Sequence, residues 1–237
     1  MQKGEKRKAE ILRASSELFA QKGYRKTTLQ DILDSVKCSK GSFYHHFESK
    51  LQVLEALALE HTLQDYQNFR LAVPITLLEE LNQLLYFSCP FRLQEVHYTA
   101  ALLGLGIRQE GAVIAAHIRE ARKTAFFDDL KALLHRMKEE GIAYFSNESL
   151  PELLWDTHMV FCDTLLLENC RLIISGATPG SRMLQMLQAA RFMWERLLDL
   201  PYACIEIIGG DELMQTLDEA SAIIRLEQEQ LRFDTYK

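Results

Sequence analysis

The chain has 237 residues, 48% of them apolar and 25% charged, and it contains no run of about 18 uncharged apolar residues, so no membrane-spanning segment is predicted. With 11 glycines and 5 prolines, the composition favours long helices over many short strands joined by turns. The formal net charge of −6 is unevenly distributed, because residues 1–50 hold 11 Lys and Arg against 6 Asp and Glu, whereas residues 51–237 hold 16 against 27. This asymmetry predicts a small basic module, able to face a polyanion, on a larger acidic body.

The first two predicted helices lie within the basic module. Apolar residues recur at helical spacing over residues 6–22, and Gly23 follows where a left-handed residue ends a helix at little cost. A second helix is expected to begin after Thr27 or Thr28, either of which can cap it. Asp31 then falls in the first turn, where a negative charge suits the helix dipole.

Two more helices complete the predicted N-terminal module. Ser39 is a good N-cap for a third helix that runs through Phe47, and a fourth runs from Lys50 to about Asn68 without any Gly or Pro. Two short helices joined by a tight turn, with a supporting helix on either side, are typical of the helix-turn-helix motif. We therefore predict a DNA-binding domain over residues 1–50, joined by the helix 50–68 to a second domain over residues 51–237.

The pattern of the second domain remains helical, so an all-α fold is predicted throughout. Pro74 suits the first turn of a helix, and Ser149 with Pro151 is typical of a helix start. The predicted segments are 74–88, 93–104, 112–140, 150–175, 181–200 and 211–232. The segments 150–175 and 181–200 are apolar on more than one face, which predicts that they form a four-helix contact with a second copy of the chain.

The stretch "CSKGSFYHHFESK" (residues 38–50) mixes aromatics with small polar donors and lysines. Phe43 and Phe47 are four residues apart and are expected to pack on the preceding helices, which leaves the other face of the third helix for the major groove. Hydroxyl, ammonium and amide groups near this face can reach base edges or phosphates. The predicted DNA contacts are Thr28, Lys40, Gly41, Ser42, Tyr44, His45, His46 and Lys50.

The span from about Lys8 to Leu57 resembles the DNA-binding domain of the TetR family of transcriptional regulators. The resemblance is carried by "AEILRASSELFAQKGYRKTTLQDIL", by "SKGSFYHHFESK" and by the leucines after Lys50. It implies a repressor or activator that dimerises through a helical C-terminal domain, binds a palindromic operator in double-stranded DNA and is released by a small effector. One departure is Val36-Lys37-Cys38, where the family often has an Ala-Gly-Val-like turn, and a left-handed lysine there would cost about 1 kcal/mol relative to glycine.

An effector cavity implied by this resemblance would draw on the aromatic and polar residues of the second domain, because binding pockets are mostly apolar with a few placed polar groups. These residues predict a mainly apolar ligand with one or two hydrogen-bonding or anionic ends. The candidate ligand-binding residues are Phe87, His97, Tyr98, Phe127, Trp155, His158, Phe161 and Cys162.

Two other functions compete with a ligand-responsive regulator. His158 and Cys162 are four residues apart, with Cys170 two turns further on, so a metal- or thiol-responsive regulator is one alternative, although no second ligand pair at zinc spacing accompanies them and no metal is predicted. A helical adaptor without specific DNA binding is the other, since the overall charge is acidic. No catalytic motif occurs, so neither an enzyme nor a cofactor is predicted. Five scattered cysteines without C-x-x-C spacing favour the reducing cytoplasm.

Overall fold

A computed structural model of the chain describes residues 3–106, 110–177 and 180–234. The all-α prediction is confirmed, since every regular element within these ranges is helical. The α-helices are α1 (Lys3–Lys22), α2 (Leu29–Val36), α3 (Lys40–Tyr44), α4 (Lys50–Leu71), α5 (Leu77–Ser88), α6 (Val96–Gly106), α7 (Glu110–Glu139), α8 (Leu150–Ser175), α9 (Ser181–Leu197) and α10 (Gly210–Asp234), with a 3-10 turn at Leu93–Glu95.

The helix-turn-helix segment follows local capping chemistry. Thr28 caps α2, because its side chain accepts from the Asp31 N–H while the Asp31 carboxylate accepts from the Thr28 N–H. Lys37 ends α2 in the left-handed conformation, with φ 48° and ψ 50°. The third helix is shorter than predicted, since α3 ends at Tyr44 and a hydrogen-bonded turn carries the chain to Phe47.

Some helix boundaries and caps in the second domain differ from the prediction. The helix α5 begins at Leu77 rather than at Pro74, because the Thr76 side chain caps it by accepting from the Glu79 N–H. Ser149 makes no side-chain cap at α8, where Asn147 Oδ1 accepts from the Ser149 N–H at 2.9 Å. The helix α9 ends at Leu197 instead of Leu200.

Helix α4 contributes to two of the hydrophobic cores that the described residues form. Its first half contributes Val53 and Leu57 to an N-terminal core built from α1, α2, α3 and neighbouring parts of α6 and α7. Its second half contributes Phe69 to the larger core formed with α5, α7, α8, α9 and α10. The helix runs unbroken for 22 residues, so the two cores are joined by one continuous element. Within the described ranges, none of the helices combines the length and hydropathy required to cross a bilayer.

Candidate nucleic-acid interface and helical-domain cavity

Two aromatic side chains fix one face of α3 against the N-terminal core. Phe43 is fully buried and Phe47 is 2% exposed, and their ring centroids lie 5.9 Å apart. Ser39 caps the helix, with its Oγ accepting from the Ser42 N–H at 3.2 Å. Because the buried face is defined by two large rings and a cap, the opposite face of α3 is presented to solvent in a fixed orientation.

The predicted DNA contacts on α3 lie together on this outward side. Lys40, Gly41 and His45 are exposed, and the Tyr44 side chain is 54% exposed. Ser42 is half-buried beside them. The N-terminal turn of α3 therefore offers an ammonium group, a hydroxyl and a close backbone approach, which are the features that a recognition helix uses in the major groove.

Thr28 lies at the N-terminus of α2, where its hydroxyl is exposed but already engaged. Its Oγ1 donates to Asp31 Oδ2 at 2.7 Å and accepts from the Asp31 N–H at 3.1 Å. Lys22 pairs with the same carboxylate at 2.7 Å. These interactions, of which the Lys22 hydrogen bond is the largest, lower the pKa of Asp31 to about 2. In the first turn of α2, the charge of Asp31 is thus balanced by Lys22, and the turn is held by hydrogen bonds to Thr28.

Lys50 is placed differently from the other predicted contacts. Its Nζ donates to the carbonyl oxygens of Tyr24 at 2.6 Å and Thr27 at 2.7 Å, and it lies 4.2 Å from the centroid of the Tyr24 ring. The side chain therefore ties the start of α4 to the connection between α1 and α2. Its role as a phosphate contact remains a prediction, since a phosphate would have to share Lys50 with these carbonyls.

Basic residues of α1 join this surface, although they were not among the predicted contacts. Lys6 and Arg7 lie with Ser42 and His46 around a shallow depression between α1 and α3. Burial, and then neighbouring cationic groups that include Lys8 and Arg7, lower the pKa of His46. The sequence signal was the basic run "GEKRK" at residues 4–8, which the structure brings beside α3.

A small cavity of about 40 Å³, partly open to solvent, lies in the helical domain between α7 and α8. Its walls are mainly apolar, and three charged residues interrupt them. The lining residues are Pro90, Phe91, Ile114, Ala115, Ile118, Arg119, Arg122, Met159, Cys162, Asp163 and Leu166. Arg119 pairs with Asp163, whose pKa is raised by burial. An apolar wall with a few charged groups is typical of the chemistry of ligand pockets.

Of the predicted ligand-binding residues, Cys162 lines this cavity. His97 and Tyr98 instead line a second crevice, of about 200 Å³, that separates α6 from α1 and α4. Tyr98 stacks there on His61 with ring centroids 4.8 Å apart. The two predicted polar groups on α6 therefore lie at the junction with the DNA-binding domain.

The remaining predicted ligand-binding residues pack within the helical core. His158 lies between Trp155 and Trp194, with ring centroids 6.2 and 6.3 Å away. Phe127 meets Trp155 edge-on at 6.3 Å, and Phe161 is 8% exposed in the same core. Phe87 is half-buried and lies 5.5 Å from the Arg92 guanidinium. The predicted ligand-binding residues therefore do not form one site but lie in the cavity, in the crevice and in the hydrophobic core.

The thiols that suggested a metal or redox function lie in separate places. Cys162 shares a hydrogen bond with Cys89, which together with burial raises the pKa of the Cys162 thiol well above its ordinary value. Cys170 donates to the Leu103 carbonyl at 3.5 Å, and burial raises its pKa to about 11. Among the residues that the structure describes, no group of three or more His, Cys, Asp or Glu side chains is arranged to hold a metal ion.

Helices α1 to α4 form a helix-turn-helix module. The helices that follow it form a second, larger domain. Residues 11–57 match the family described as bacterial regulatory proteins, tetR family. The N-terminal part of the chain is therefore similar to the DNA-binding domain of this family.

Individual relatives match mainly the N-terminal domain. The HTH-type transcriptional repressor KstR2 of Mycolicibacterium smegmatis is 45% identical over 49 residues, which are 21% of this chain and 24% of that protein. The match therefore spans about a quarter of the length of this curated relative.

Solved structures extend the likeness to most of the chain, but only at the level of the fold. A TetR transcription regulator from Haloarcula marismortui has a TM-score of 0.56 at 18% identity and covers 82% of this chain and 97% of its own. GusR of Salmonella enterica has a TM-score of 0.53 at 20% identity and covers 81% of this chain and 95% of its own.

Proposed function

We propose that the protein is a ligand-responsive transcriptional repressor that binds a palindromic operator as a homodimer and leaves it when a small effector occupies the helical domain. The observation that carries the proposal is the outward face of α3, where Lys40, Tyr44 and His45 are exposed above a buried Phe43 and Phe47. KstR2, which is similar to this chain over the N-terminal domain, is a transcriptional repressor, and this similarity supports the sign of regulation.

Selection of bound fragments from a random DNA pool is expected to give a palindromic site whose affinity falls steeply with salt, because cations of α1 and α3 neutralise phosphates. In Lys40→Ala, a lost base contact should cost about 1–3 kcal/mol at the selected site and relax its sequence preference. Tyr44→Ala should weaken all sequences about equally, since the hydroxyl meets the backbone. Fluorescence anisotropy with labelled duplexes at several salt concentrations measures both effects.

The matched control is Arg70→Ala, which removes an exposed cation from the far end of α4. This variant should bind the selected duplex as the parent protein does. A complex that is insensitive to salt, or Lys40→Ala and Tyr44→Ala variants with full affinity, would contradict the assignment of α3 as the recognition helix.

The homodimer is supported by an apolar stripe on the outer face of α8. Leu153, Val160, Leu167 and Ile174 are spaced seven residues apart and are 53, 59, 54 and 66% exposed. Seven residues are close to two helical turns, so these side chains form one continuous line. Phe192, 48% exposed on the neighbouring α9, is a further apolar side chain on this pair of helices. The α8 and α9 helices of a second copy of the chain would bury the apolar stripe and Phe192 and complete a four-helix contact.

A Val160→Asp, Leu167→Asp double variant is expected to be monomeric at micromolar concentration, because two carboxylates would otherwise be buried at the contact. The control is Val73→Asp, since Val73 is 87% exposed in the connection after α4 and lies outside the stripe. Light scattering coupled to size-exclusion chromatography gives the mass of each protein. A parent chain that is itself monomeric, or a double variant that stays dimeric, would rule out this interface.

Binding of the effector can release the protein from its operator through a movement of α4. This helix has 22 residues and is therefore about 33 Å long, and it is shared by the DNA-binding and helical cores. Two recognition helices must lie about 34–36 Å apart to read successive major grooves. A ligand that favours another position of α4 changes this spacing, and a coupling of about 1–3 kcal/mol is typical of such regulation.

A further inference from the structure

Two thiols meet where the end of α5 packs against α8. Cys89 is the C-cap of α5 and is fully buried, and Cys162 on α8 is 5% exposed. The neighbouring residues fix this contact, because Ser88 Oγ lies 3.0 Å from His158 Nε2 and His158 lies one turn before Cys162 on the same face of α8. Both thiols are free, and they share a hydrogen bond.

The proton of this hydrogen bond belongs to Cys162. The Cys162 S–H donates to Cys89 Sγ, which also accepts from the Phe91 N–H. The hydrogen bond from Cys162, supported by the Phe91 N–H and the charge of Arg122, lowers the pKa of Cys89, although burial opposes it. Hydrogen bonding to Cys89 and burial raise the pKa of Cys162. Cys89 is therefore the thiol of the pair that ionises first, and the thiolate is the nucleophilic form of cysteine.

The cavity between α7 and α8 gives a small molecule access to the two thiols. Cys162 lines this cavity, and so do Pro90 and Phe91, which follow Cys89 directly in the chain. Its volume of about 40 Å³ exceeds the roughly 10–15 Å³ that one water molecule needs. Hydrogen peroxide, which has two oxygen atoms, fits this space, whereas an oxidant of peptide size does not.

We propose that Cys89 and Cys162 form a peroxide-sensitive dithiol site that closes to an intramolecular disulfide. The Cys89 thiolate attacks one oxygen of hydrogen peroxide and the O–O bond breaks, so that Cys89 becomes a sulfenic acid and the departing hydroxide takes up a proton to give water. The Cys162 sulfur then attacks the sulfenic sulfur, and the hydroxyl group leaves as water with the Cys162 proton. The two thiols lose two electrons in total, and the peroxide is reduced to two water molecules.

Closure of the disulfide acts on groups that contact α4. A disulfide brings two sulfur atoms closer together than a hydrogen bond does, so it displaces the end of α5 relative to α8. Arg122 Nη1 donates to the Ser88 carbonyl at 2.8 Å, and Arg122 Nη2 donates to Asp65 Oδ2 on α4 at 3.0 Å. Oxidation therefore disturbs a hydrogen-bonded connection from the residue before Cys89 to α4. This regulatory consequence rests on the proposed function, whereas the dithiol site can be tested without DNA.

The chemical test uses the reduced full chain. After treatment with hydrogen peroxide, peptide mapping without reductant is expected to find Cys89 linked to Cys162, and dithiothreitol should restore both thiols. Glutathione disulfide, which is too large for the cavity, should leave this pair unlinked over the same time. The absence of the linked peptide after peroxide treatment overturns the proposal. A link that forms equally fast with glutathione disulfide overturns access through the cavity.

Two cysteine variants separate the roles of the thiols. Cys162→Ser should stop the reaction after its first step, so that peroxide adds oxygen to Cys89 and no crosslink forms. In Cys89→Ser, burial keeps the Cys162 thiol protonated, so this thiol should not be oxidised under the same treatment. The matched control is Cys170→Ser, which removes another buried thiol of α8 and should form the crosslink as the parent does.

Mass spectrometry measures the added oxygen and the crosslink, and circular dichroism checks that each variant is folded. A Cys89→Ser variant that is oxidised at Cys162 as readily as the parent overturns the assignment of Cys89 as the nucleophile. If either variant of the pair does not fold, the peptide maps of the parent and of Cys170→Ser still decide whether the disulfide forms.

The regulatory consequence has its own readout. Operator affinity is measured by fluorescence anisotropy for the reduced and for the peroxide-treated chain, and oxidation should lower it by about fivefold or more. An unchanged affinity of the crosslinked chain overturns the coupling through Arg122 and leaves the repressor assignment intact. A chain that forms the disulfide but binds no operator in its reduced state contradicts the proposed function and leaves the dithiol site intact.

Discussion

Replacing Asp65 by alanine is expected to lower the free energy of unfolding by about 3–5 kcal/mol, because it leaves the buried Arg122 guanidinium without its carboxylate. Arg122 is 1% exposed and Arg92 is 3% exposed, so water cannot replace the lost partner without opening the core. Urea denaturation followed by circular dichroism measures the change. Parent and variant must be compared at one protein concentration, since the unfolding of an oligomer depends on it.

The matched control for Asp65→Ala is Asp156→Ala. Asp156 also pairs a helix with a neighbouring helix, through Lys123 at 3.4 Å, but its side chain is 63% exposed. An exposed ion pair contributes about 0–1 kcal/mol, so this variant should unfold almost as the parent does. If both variants lower the free energy of unfolding by the same small amount, the buried ion pair contributes no more than a surface pair. It then does not stabilise the contact between α4 and α7.

The helices and their caps could be predicted from the sequence because their signals are local. Thr28 with Asp31, Ser39 before α3 and the uninterrupted run after Lys50 each depend on residues within one or two turns. The start of α5 was placed wrongly at Pro74, although the local signal was present. The sequence "TLLE" at residues 76–79 is a capping pattern, and it outweighs a proline that is merely tolerated in a first turn.

The buried ion pair between Asp65 and Arg122 could not be predicted in the same way, because the two residues come from different helices. Asp65 and Arg122 each occupy an apolar stripe, Asp65 between Ala58 and Phe69 and Arg122 between Ile118 and Phe126. A charge at such a position suggests burial with a partner. The identity of the partner depends on how α4 and α7 cross, which helical periodicity does not contain. For the same reason, residues grouped by composition, such as His97 and Trp155, separate into a crevice and a core.

His158 is held in its neutral form by its surroundings. It is 1% exposed, and its Nε2 lies 3.0 Å from Ser88 Oγ. Since the Ser88 hydroxyl donates to the Leu85 carbonyl at 3.1 Å, it accepts from Nε2–H, and Nδ1 is the nitrogen left to take a proton. Nδ1 is buried and has no acceptor within the described part of the chain. Burial, and then the charge of Arg122, lower the pKa of His158 to about 3.

The free energy of unfolding is therefore expected to fall as the pH is lowered from about 6.5 towards 3. The folded-state pKa is depressed, so below pH 6.5 the unfolded chain binds a proton that the folded chain does not, and unfolding becomes easier by up to about 1.4 kcal/mol per pH unit. The contribution of His158 is fully present above pH 6.5, and about 2 kcal/mol of it is lost by pH 5. Urea titrations at pH 7, 6 and 5 measure how steeply the free energy of unfolding changes with pH.

Carboxylates also titrate at low pH, so the decisive quantity is the difference between the parent and His158→Gln. In the variant, the dependence of the free energy of unfolding on pH should correspond to about one proton fewer taken up on unfolding, whatever the stability at pH 7. Ser88→Ala is the control, because it removes the hydrogen-bond partner of His158 while the imidazole stays buried. It should lower the stability at every pH and keep the slope, since burial is the larger cause of the pKa shift. Equal slopes in the parent and His158→Gln would mean that water reaches Nδ1 and that the core around Trp155 and Trp194 opens on protonation.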